Sequence, residues 1–273
     1  MLRVLTCIAI GHDTVLLATA ALICALACVA SFSLVERAQT KTRHSRLAWL
    51  TLAALATGYG VWATHFIGML GYKVAVPNGY DLPLTIASAL VAVGFTGVAL
   101  AVAFSRRLPA WRLWAAGSIV GIGVSTMHFM GMAAWHVAAD KVWNLDYAVA
   151  AVALGIVFSA VAFHVGLSSK GLMSRLASAC ILVLAIVAMH FTAMTALTLS
   201  PNPAVVVPAA DVPPEWLGGM LSIVTVALLG ASLVAAALDE HIDGRAASEN
   251  ARLQRLIEAI RTSESRARRL ALV

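Results

Sequence analysis

The sequence predicts an all-α, polytopic membrane protein with seven transmembrane helices, and three observations support this fold class. Of the 273 residues, 61% are hydrophobic and only 12% are charged, whereas a soluble domain has about 45–50% apolar and about 25% charged residues. The apolar residues form seven long runs, each close to the roughly 20 residues that a helix needs to cross a bilayer. Backbone groups in lipid must be hydrogen-bonded within the segment, which favours helices, and the alternating pattern of a membrane barrel is absent.

The seven predicted helices occupy residues 14–34, 47–69, 82–104, 111–135, 147–167, 172–197 and 216–238. The first run follows His12 and Asp13 and is too long for a signal peptide, so we interpret it as a retained helix that Asp13 can cap. We predict a membrane domain over residues 1–238 and a cytoplasmic helix over residues 239–273.

The basic residues predict the orientation of these helices. The loops after the first, third and fifth helices and the C-terminal tail hold 16 lysines and arginines, whereas the other side holds only Arg3, Lys73 and Lys141. Basic residues favour the cytoplasmic side, so the N-terminus is expected outside and the C-terminus in the cytoplasm. The net charge of +6 therefore indicates contact with anionic membrane lipids and no nucleic acid.

A His-Phe-x-(Gly/Ala)-Met motif occurs three times, at residues 65–69, 128–132 and 190–194. His65, His128 and His190 are 63 and 62 residues apart, so each period spans two helices, and the chain is predicted to be three two-helix repeats plus one helix. All three motifs then lie near the outer ends of the second, fourth and sixth helices. Within each motif the histidine and methionine are four residues apart and share a helix face.

These residue types favour a metal site over simple packing. Imidazole nitrogen and thioether sulfur suit copper, particularly Cu(I), and a histidine inside a membrane is expensive and tends to be functional. The predicted ligands are His65, Met69, His128, Met132, His190 and Met194, with Met127 and Met189 nearby and His12 as an additional candidate. The alternatives are a structural polar cluster, a haem held by two of the histidines, and a copper transporter or permease.

Other residues carry weaker signals. Cys24 and Cys28 share a face of the first helix near mid-membrane, where a buried thiol usually acts as a small apolar residue. Trp62, Trp111, Trp135 and Trp216 fit interfacial belts. The motifs are accompanied by no nucleophile–base pair and no paired carboxylates, so we do not expect an enzyme.

At its three motifs the sequence resembles the MHYT domain, a bacterial membrane-sensor module named for Met-His-Tyr-Thr. The resemblance covers residues 11–238, including His12 and Asp13, although phenylalanine replaces the family's tyrosine in every copy. It implies a multi-pass protein of the bacterial inner membrane that binds copper and through it detects O2, CO or NO. It also implies a cytoplasmic output, such as a cyclic-di-GMP synthase or phosphodiesterase or a histidine kinase, as a further domain or a separate partner.

The C-terminal tail contains a short heptad seam. Its apolar positions recur at steps of three and four residues, with one interruption at a serine, namely Leu253, Leu256, Ile260, Ser263, Ala267 and Leu270. This spacing predicts a signalling helix that forms a homodimer, and the alternative is a basic amphipathic helix on the inner leaflet.

Overall fold

The part of the chain that the structure describes contains six long helices. The computed structural model describes residues 11–105, 109–169 and 171–225, together with residues 227, 230, 231, 234, 245, 249 and 252–258. The helices are α1 (Thr14–Thr40), α2 (Arg43–Leu70), α3 (Leu82–Ala103), α4 (Arg112–Ala134), α5 (Leu145–Ser168) and α6 (Leu172–Ala196). Each is long and apolar enough to cross a membrane, so the first six predicted spans and the multi-pass membrane architecture are confirmed.

The seventh predicted span is described only in its first half. Residues 214–225 are helical, and most of residues 226–238 lie outside the described residues. In the tail, residues 252–258 are helical, and Leu253 and Leu256 are about half exposed. The seam from Ile260 onwards lies outside the described residues. Backbone contacts divide the chain into two units, Met1–Leu228 and Leu229–Val273, and the predicted division at residue 238 stays a prediction.

Short polar side chains begin three of the helices. The carboxylate of Asp13 accepts hydrogen bonds from the backbone N–H groups of Val15 and Leu16, both at 3.0 Å, which confirms its predicted role as the cap of α1. Asp81 caps α3 and Asn144 caps α5 in the same way. Such caps pair backbone donors that have no partner inside the helix. Backbone hydrogen bonds also join the residues that begin α1, α3 and α5 to the ends of α2, α4 and α6, so these starts and ends lie on one side of the bundle.

Four short strands, which the sequence did not predict, cover that same side. They are β1 (Asn78–Tyr80), β2 (Trp135–Val137), β3 (Ala139–Trp143) and β4 (Leu197–Pro201). Strand β1 pairs antiparallel with β2, and β3 pairs antiparallel with β4. Because β2 follows α4 directly and β4 follows α6 directly, the strands hold together the ends of the helices that carry the second and third motifs.

Two of the four predicted belt tryptophans are instead buried. Trp62 is 8% exposed, and its indole Nε1–H donates to the Thr85 carbonyl and the Ser88 hydroxyl at 3.0 Å each. Trp135 is 1% exposed, and its Nε1–H donates to the Asn78 side chain at 3.3 Å. A tryptophan is buried readily when its N–H has a partner, so the belt prediction was wrong at both positions.

Candidate metal centre

The three motif histidines meet in the interior of the bundle. His65 lies on α2, His128 on α4 and His190 on α6, and their side chains are 4%, 0% and 8% exposed. The Nδ1 atom of His65 is 3.1 Å from Nδ1 of His128 and 3.4 Å from Nδ1 of His190. One ligand atom from each ring can be chosen so that all three lie within 4.8 Å of one another. We call these residues the histidine triad.

The spacing of the triad fits a metal ion. Two nitrogens that bind one ion at about 2.0–2.1 Å lie about 3.3–3.6 Å apart, for tetrahedral to trigonal angles. The measured Nδ1 separations of 3.1 and 3.4 Å are close to that range. A neutral imidazole carries one N–H and one acceptor nitrogen, so unprotonated Nδ1 atoms would present their lone pairs to one another across these contacts. A cation among the three Nδ1 atoms satisfies them together, so the buried triad can hold a metal ion.

The small residue in the motif makes room for a neighbouring histidine. A Cβ atom added to Gly131 would lie 2.4 Å from Nε2 of His65 and 2.8 Å from its Cδ2, which is far inside van der Waals contact. A Cβ atom added to Gly68 would lie 3.5 Å from Nε2 of His190, which is ordinary contact. In the first two copies, therefore, the position three residues after one histidine lies against the histidine of another helix.

The motif methionines divide into two groups. All five are buried, with at most 3% exposure: Met69, Met127, Met132, Met189 and Met194. Two of them, Met127 and Met189, line the cavity that also contains the triad. The other three, each four residues after a histidine, lie outside the described wall of that cavity.

His12 approaches the triad from the start of α1. It is 1% exposed, and its ring centroid is 5.3 Å from that of Phe191 and 5.2 Å from that of Tyr72. The ring of Phe191 also contacts His190 at 5.0 Å. His12 and His190 thus contact the same ring, that of Phe191, while the histidines whose ligand atoms come together are His65, His128 and His190.

A cavity of about 250 Å³ lies beside the triad, and α1, α2, α4 and α6 all contribute to its wall. The wall is almost entirely apolar apart from the triad, Cys24 and Thr64. Cys24 therefore borders the same cavity as the histidines, a placement that its position along α1 did not predict.

Two further polar contacts stabilise the strands next to the triad. The Lys141 ammonium donates to the carbonyl of Met132 at 2.9 Å and to that of Trp135, so it caps the end of α4, and partial burial lowers the pKa of this lysine. His136 Nδ1 lies 2.7 Å from Asp211 Oδ2, which joins β2 to the segment before residue 214. Neither contact has a sequence signal, since each joins single residues in loops and short strands.

Comparison with protein families identifies the repeat. The model described as the bacterial signalling protein N-terminal repeat, MHYT, matches residues 58–116 and 121–179. The two matched ranges begin 63 residues apart, the same spacing as His65 and His128. No solved structure matches the chain.

Relatives with long matches are bacterial signalling proteins. A protein described as a bifunctional diguanylate cyclase/cyclic di-GMP phosphodiesterase, MucR of Pseudomonas aeruginosa, is 30% identical over 86% of this chain and 35% of its own length. The cyclic di-GMP phosphodiesterase NbdA of the same organism is 32% identical over 94% of this chain and 33% of its own length. A signalling protein of Caulobacter vibrioides is 32% identical over 94% of this chain and 31% of its own length. The chain spans about a third of the length of these relatives, and it belongs to the MHYT family of bacterial signalling proteins.

Proposed function

We propose that this chain is the membrane sensor module of a bacterial signalling protein and that its histidine triad holds a copper ion. In this proposal the module detects a diatomic gas, O2, CO or NO, or the copper or redox state of the outer compartment. The bound ion would supply soft coordination and an open position for such a ligand. The observation that carries the proposal is the set of three buried Nδ1 atoms, of which His65 Nδ1 lies 3.1 and 3.4 Å from the other two.

The donor set favours copper among the common metals. The triad offers only imidazole nitrogen, and the sulfurs of Met127 and Met189 border the same cavity. The described wall of this cavity contains no carboxylate, which disfavours magnesium, calcium and manganese. We propose the triad as the primary ligands and these two methionines as the nearest thioether donors. Met69, Met132, Met194 and His12 remain candidates that would need to move towards the ion.

The rival cofactors and functions fit the geometry less well. Axial ligands of a haem lie on opposite faces of the macrocycle, whereas rings whose Nδ1 atoms are 3.1–3.4 Å apart leave no space for a macrocycle between them. A copper transporter needs ligands staged along a path across the membrane, and the triad gathers its ligands at one depth. A structural polar cluster would pair its nitrogens with donors and acceptors, yet Nε2 of each triad histidine has no partner among the described residues.

Signal transfer would begin at the helices that carry the triad. We propose seven membrane helices in three two-helix repeats plus one, with the N-terminus outside and the triad near the outer face of the inner membrane. A change in the spacing of the three histidines would tilt α2, α4 and α6 against their neighbours and move the cytoplasmic tail. The tail would act as a homodimer on a cyclic-di-GMP enzyme or a histidine kinase, and the cyclic-di-GMP activities named for two of the relatives support the first of these.

Elemental analysis of the purified protein tests the metal assignment. We expect about one copper per chain, and loss of that copper when His65, His128 and His190 are all replaced by alanine. The matched control replaces two histidines outside the triad, His44→Ala and His164→Ala, and should keep the copper. Full copper content in the triple variant would contradict the proposed site, and a Soret band in the untreated protein would favour haem instead.

Gas detection is tested by the optical spectrum of the copper-loaded protein. We expect O2, CO or NO to change that spectrum in the native protein but not in the triple variant. Uptake of copper into vesicles that carry the protein would instead support a transporter.

A further inference from the structure

Each helix that carries a triad histidine has an arginine in its first turn, at the end of the bundle opposite the triad. These arginines are Arg46 on α2, Arg112 on α4 and Arg175 on α6. In the third repeat the arginine is paired with a carboxylate, because Nη1 of Arg175 lies 3.5 Å from Oε2 of Glu36. The other oxygen of Glu36, Oε1, accepts from the backbone N–H of Gly171 at 3.2 Å. The chain itself therefore supplies an anion to the third arginine.

The guanidinium groups of the first two arginines are held by backbone carbonyls of the preceding helix and loop. Nε and Nη2 of Arg46 donate to the carbonyls of Ala38 and Lys41 at 3.2 and 3.0 Å. In the next repeat, Nε of Arg112 donates to the carbonyl of Ala103 at 3.0 Å. A carbonyl group is neutral, so these bonds fix the direction of each planar cation without balancing its charge.

Arg46 and Arg112 line one cleft of about 250 Å³, which we call the arginine cleft. Both side chains belong to half-buried residues. The rest of the described wall is formed by Gln39, Ala103, Phe104, Ser105, Leu113 and Leu167. Two cations from different repeats thus share one partly apolar cleft.

The chain supplies few anions at this end of the bundle. Residues 35–46, 103–112 and 168–175 together contain nine lysines and arginines but only one acidic residue, Glu36. Glu36 is the residue that pairs with Arg175. The described wall of the arginine cleft contains no carboxylate, so its positive charge is not balanced within that wall.

The arginine cleft lies at the depth where the membrane helices end. Ala103 is the last residue of α3, Arg112 is the first residue of α4, and Leu167 lies in the last turn of α5. All three helices are candidate membrane spans, and the polar headgroups of lipids lie where the apolar part of such a span ends. Phe104 and Leu113 place apolar surface beside the two cations, which suits an amphiphilic anion.

We propose that the arginine cleft binds the phosphate group of an anionic phospholipid. Arginine has five N–H donors, and the two carbonyls account for only two of those of Arg46, so this guanidinium can also donate to phosphate oxygens. The planar guanidinium matches phosphate geometry, and basic pockets between membrane helices bind lipid headgroups. The lipid would supply to Arg46 and Arg112 the anion that Glu36 supplies to Arg175. The proposal adds a lipid site to the sensor module and does not depend on the metal.

Native mass spectrometry of the full chain in detergent tests this inference by measuring the affinity for single lipid molecules. The probe is dioleoyl phosphatidylglycerol. The comparison lipid is dioleoyl phosphatidylcholine, which has the same acyl chains and phosphodiester but a choline group that cancels the charge. We expect the phosphatidylglycerol to bind about ten-fold more tightly, because its phosphate forms charge-assisted hydrogen bonds without a competing cation. Treatment with excess inorganic phosphate before buffer exchange should leave the lipid bound.

Variants with matched controls locate the lipid in the arginine cleft. Ser105→Glu places a carboxylate in the wall while both arginines keep their carbonyl bonds, and it should weaken phosphatidylglycerol binding about ten-fold by pairing with the cations. Ser105→Gln has the same size without the charge and should bind as the native protein does. Arg46→Gln should also weaken binding, whereas Arg175→Gln removes the same charge outside the described wall of the cleft and should not.

The outcomes distinguish this inference from the copper assignment. Equal affinity for the two lipids, or equal phosphatidylglycerol binding by Ser105→Glu and Ser105→Gln, would overturn the inference. Loss of the bound lipid on treatment with inorganic phosphate would show that the cleft takes a free phosphate, and it would overturn the lipid assignment. If the purified chain holds no copper and still binds phosphatidylglycerol in this charge-dependent way, the copper proposal fails and the present one stands.

Discussion

Replacing Gly131 by alanine tests how the motif positions its ligands. The added Cβ atom would lie 2.4 Å from Nε2 and 2.8 Å from Cδ2 of His65, and 3.2 Å from Cζ of Phe66. Ordinary contact begins near 3.4 Å, so the imidazole must retreat by about 1 Å. Metal sites tolerate ligand displacements of only about 0.2 Å, and Nδ1 of His65 is the atom that both other histidines approach.

The expected effect of Gly131→Ala has two parts. Overpacking of a well-packed interior costs about 1–3 kcal/mol, which is partly offset by the roughly 1 kcal/mol that alanine gains over glycine in a helix. Copper affinity should fall by about 10–100-fold, the range seen when residues that orient metal ligands are changed. Thermal unfolding in detergent and competitive titration with a copper chelator measure the two quantities.

The matched control is Gly68→Ala, the same change in the first copy of the motif. Its Cβ atom would lie 3.5 Å from Nε2 of His190 and 3.7 Å from Cε1, so the ring need not move. Helix propensity changes equally in the two variants, and the difference between them isolates the steric effect. If Gly131→Ala binds copper as tightly as Gly68→Ala, the inference that this glycine positions His65 is refuted.

Three further substitutions test the surroundings of the triad. Lys141→Met removes the hydrogen bonds from the ammonium group to the carbonyls of Met132 and Trp135 at the end of α4. It should lower thermal stability by about 1–2 kcal/mol and weaken copper binding. An unchanged melting temperature and an unchanged copper titration would show that this cap is dispensable. Trp62→Phe removes two buried hydrogen bonds between α2 and α3 and should cost about 0.5–2 kcal/mol in detergent unfolding, with copper retained. Asp81→Ala removes the 2.7 Å cap of α3 and should cost about 1 kcal/mol, and an equal loss in Asp81→Asn would argue against capping, because asparagine also caps.

The helices were predictable because long apolar runs have a direct physical cause. Five of the six confirmed spans begin and end within four residues of their predicted bounds. The exception is α1, which continues to Thr40 because polar residues extend the helix beyond the apolar run on which the prediction was based. The strands could not be predicted, since β1 and β2 have three residues each and show no usable alternation. Burial of Trp62 and Trp135 was missed because it depends on partners in other segments, which a single-helix pattern does not contain.

The meeting of the histidines was foreseeable from spacing, but the other side chains that share their cavity were not. Equal spacing places His65, His128 and His190 at one depth, whereas the rotation of each helix about its axis decides which neighbours share the cavity. That rotation brings Met127 and Met189, each one residue before a histidine, to the cavity wall. The methionines four residues after the histidines lie about one turn further along their helices, outside the described wall.

The same rotation explains why the motif needs a small residue three positions after each histidine. On α4 this position, Gly131, lies against His65 of α2, and on α2 its equivalent, Gly68, lies against His190 of α6. The first and second copies thus each supply a histidine to the triad and the space for the histidine of another copy. A histidine and a methionine four residues apart share a face of one helix, whereas the contacts of Gly131 with His65 and of Gly68 with His190 join three different helices. The motif is therefore better defined as His-x-x-small than as His-Met, because a small residue at this position indicates that a histidine of another helix packs against it.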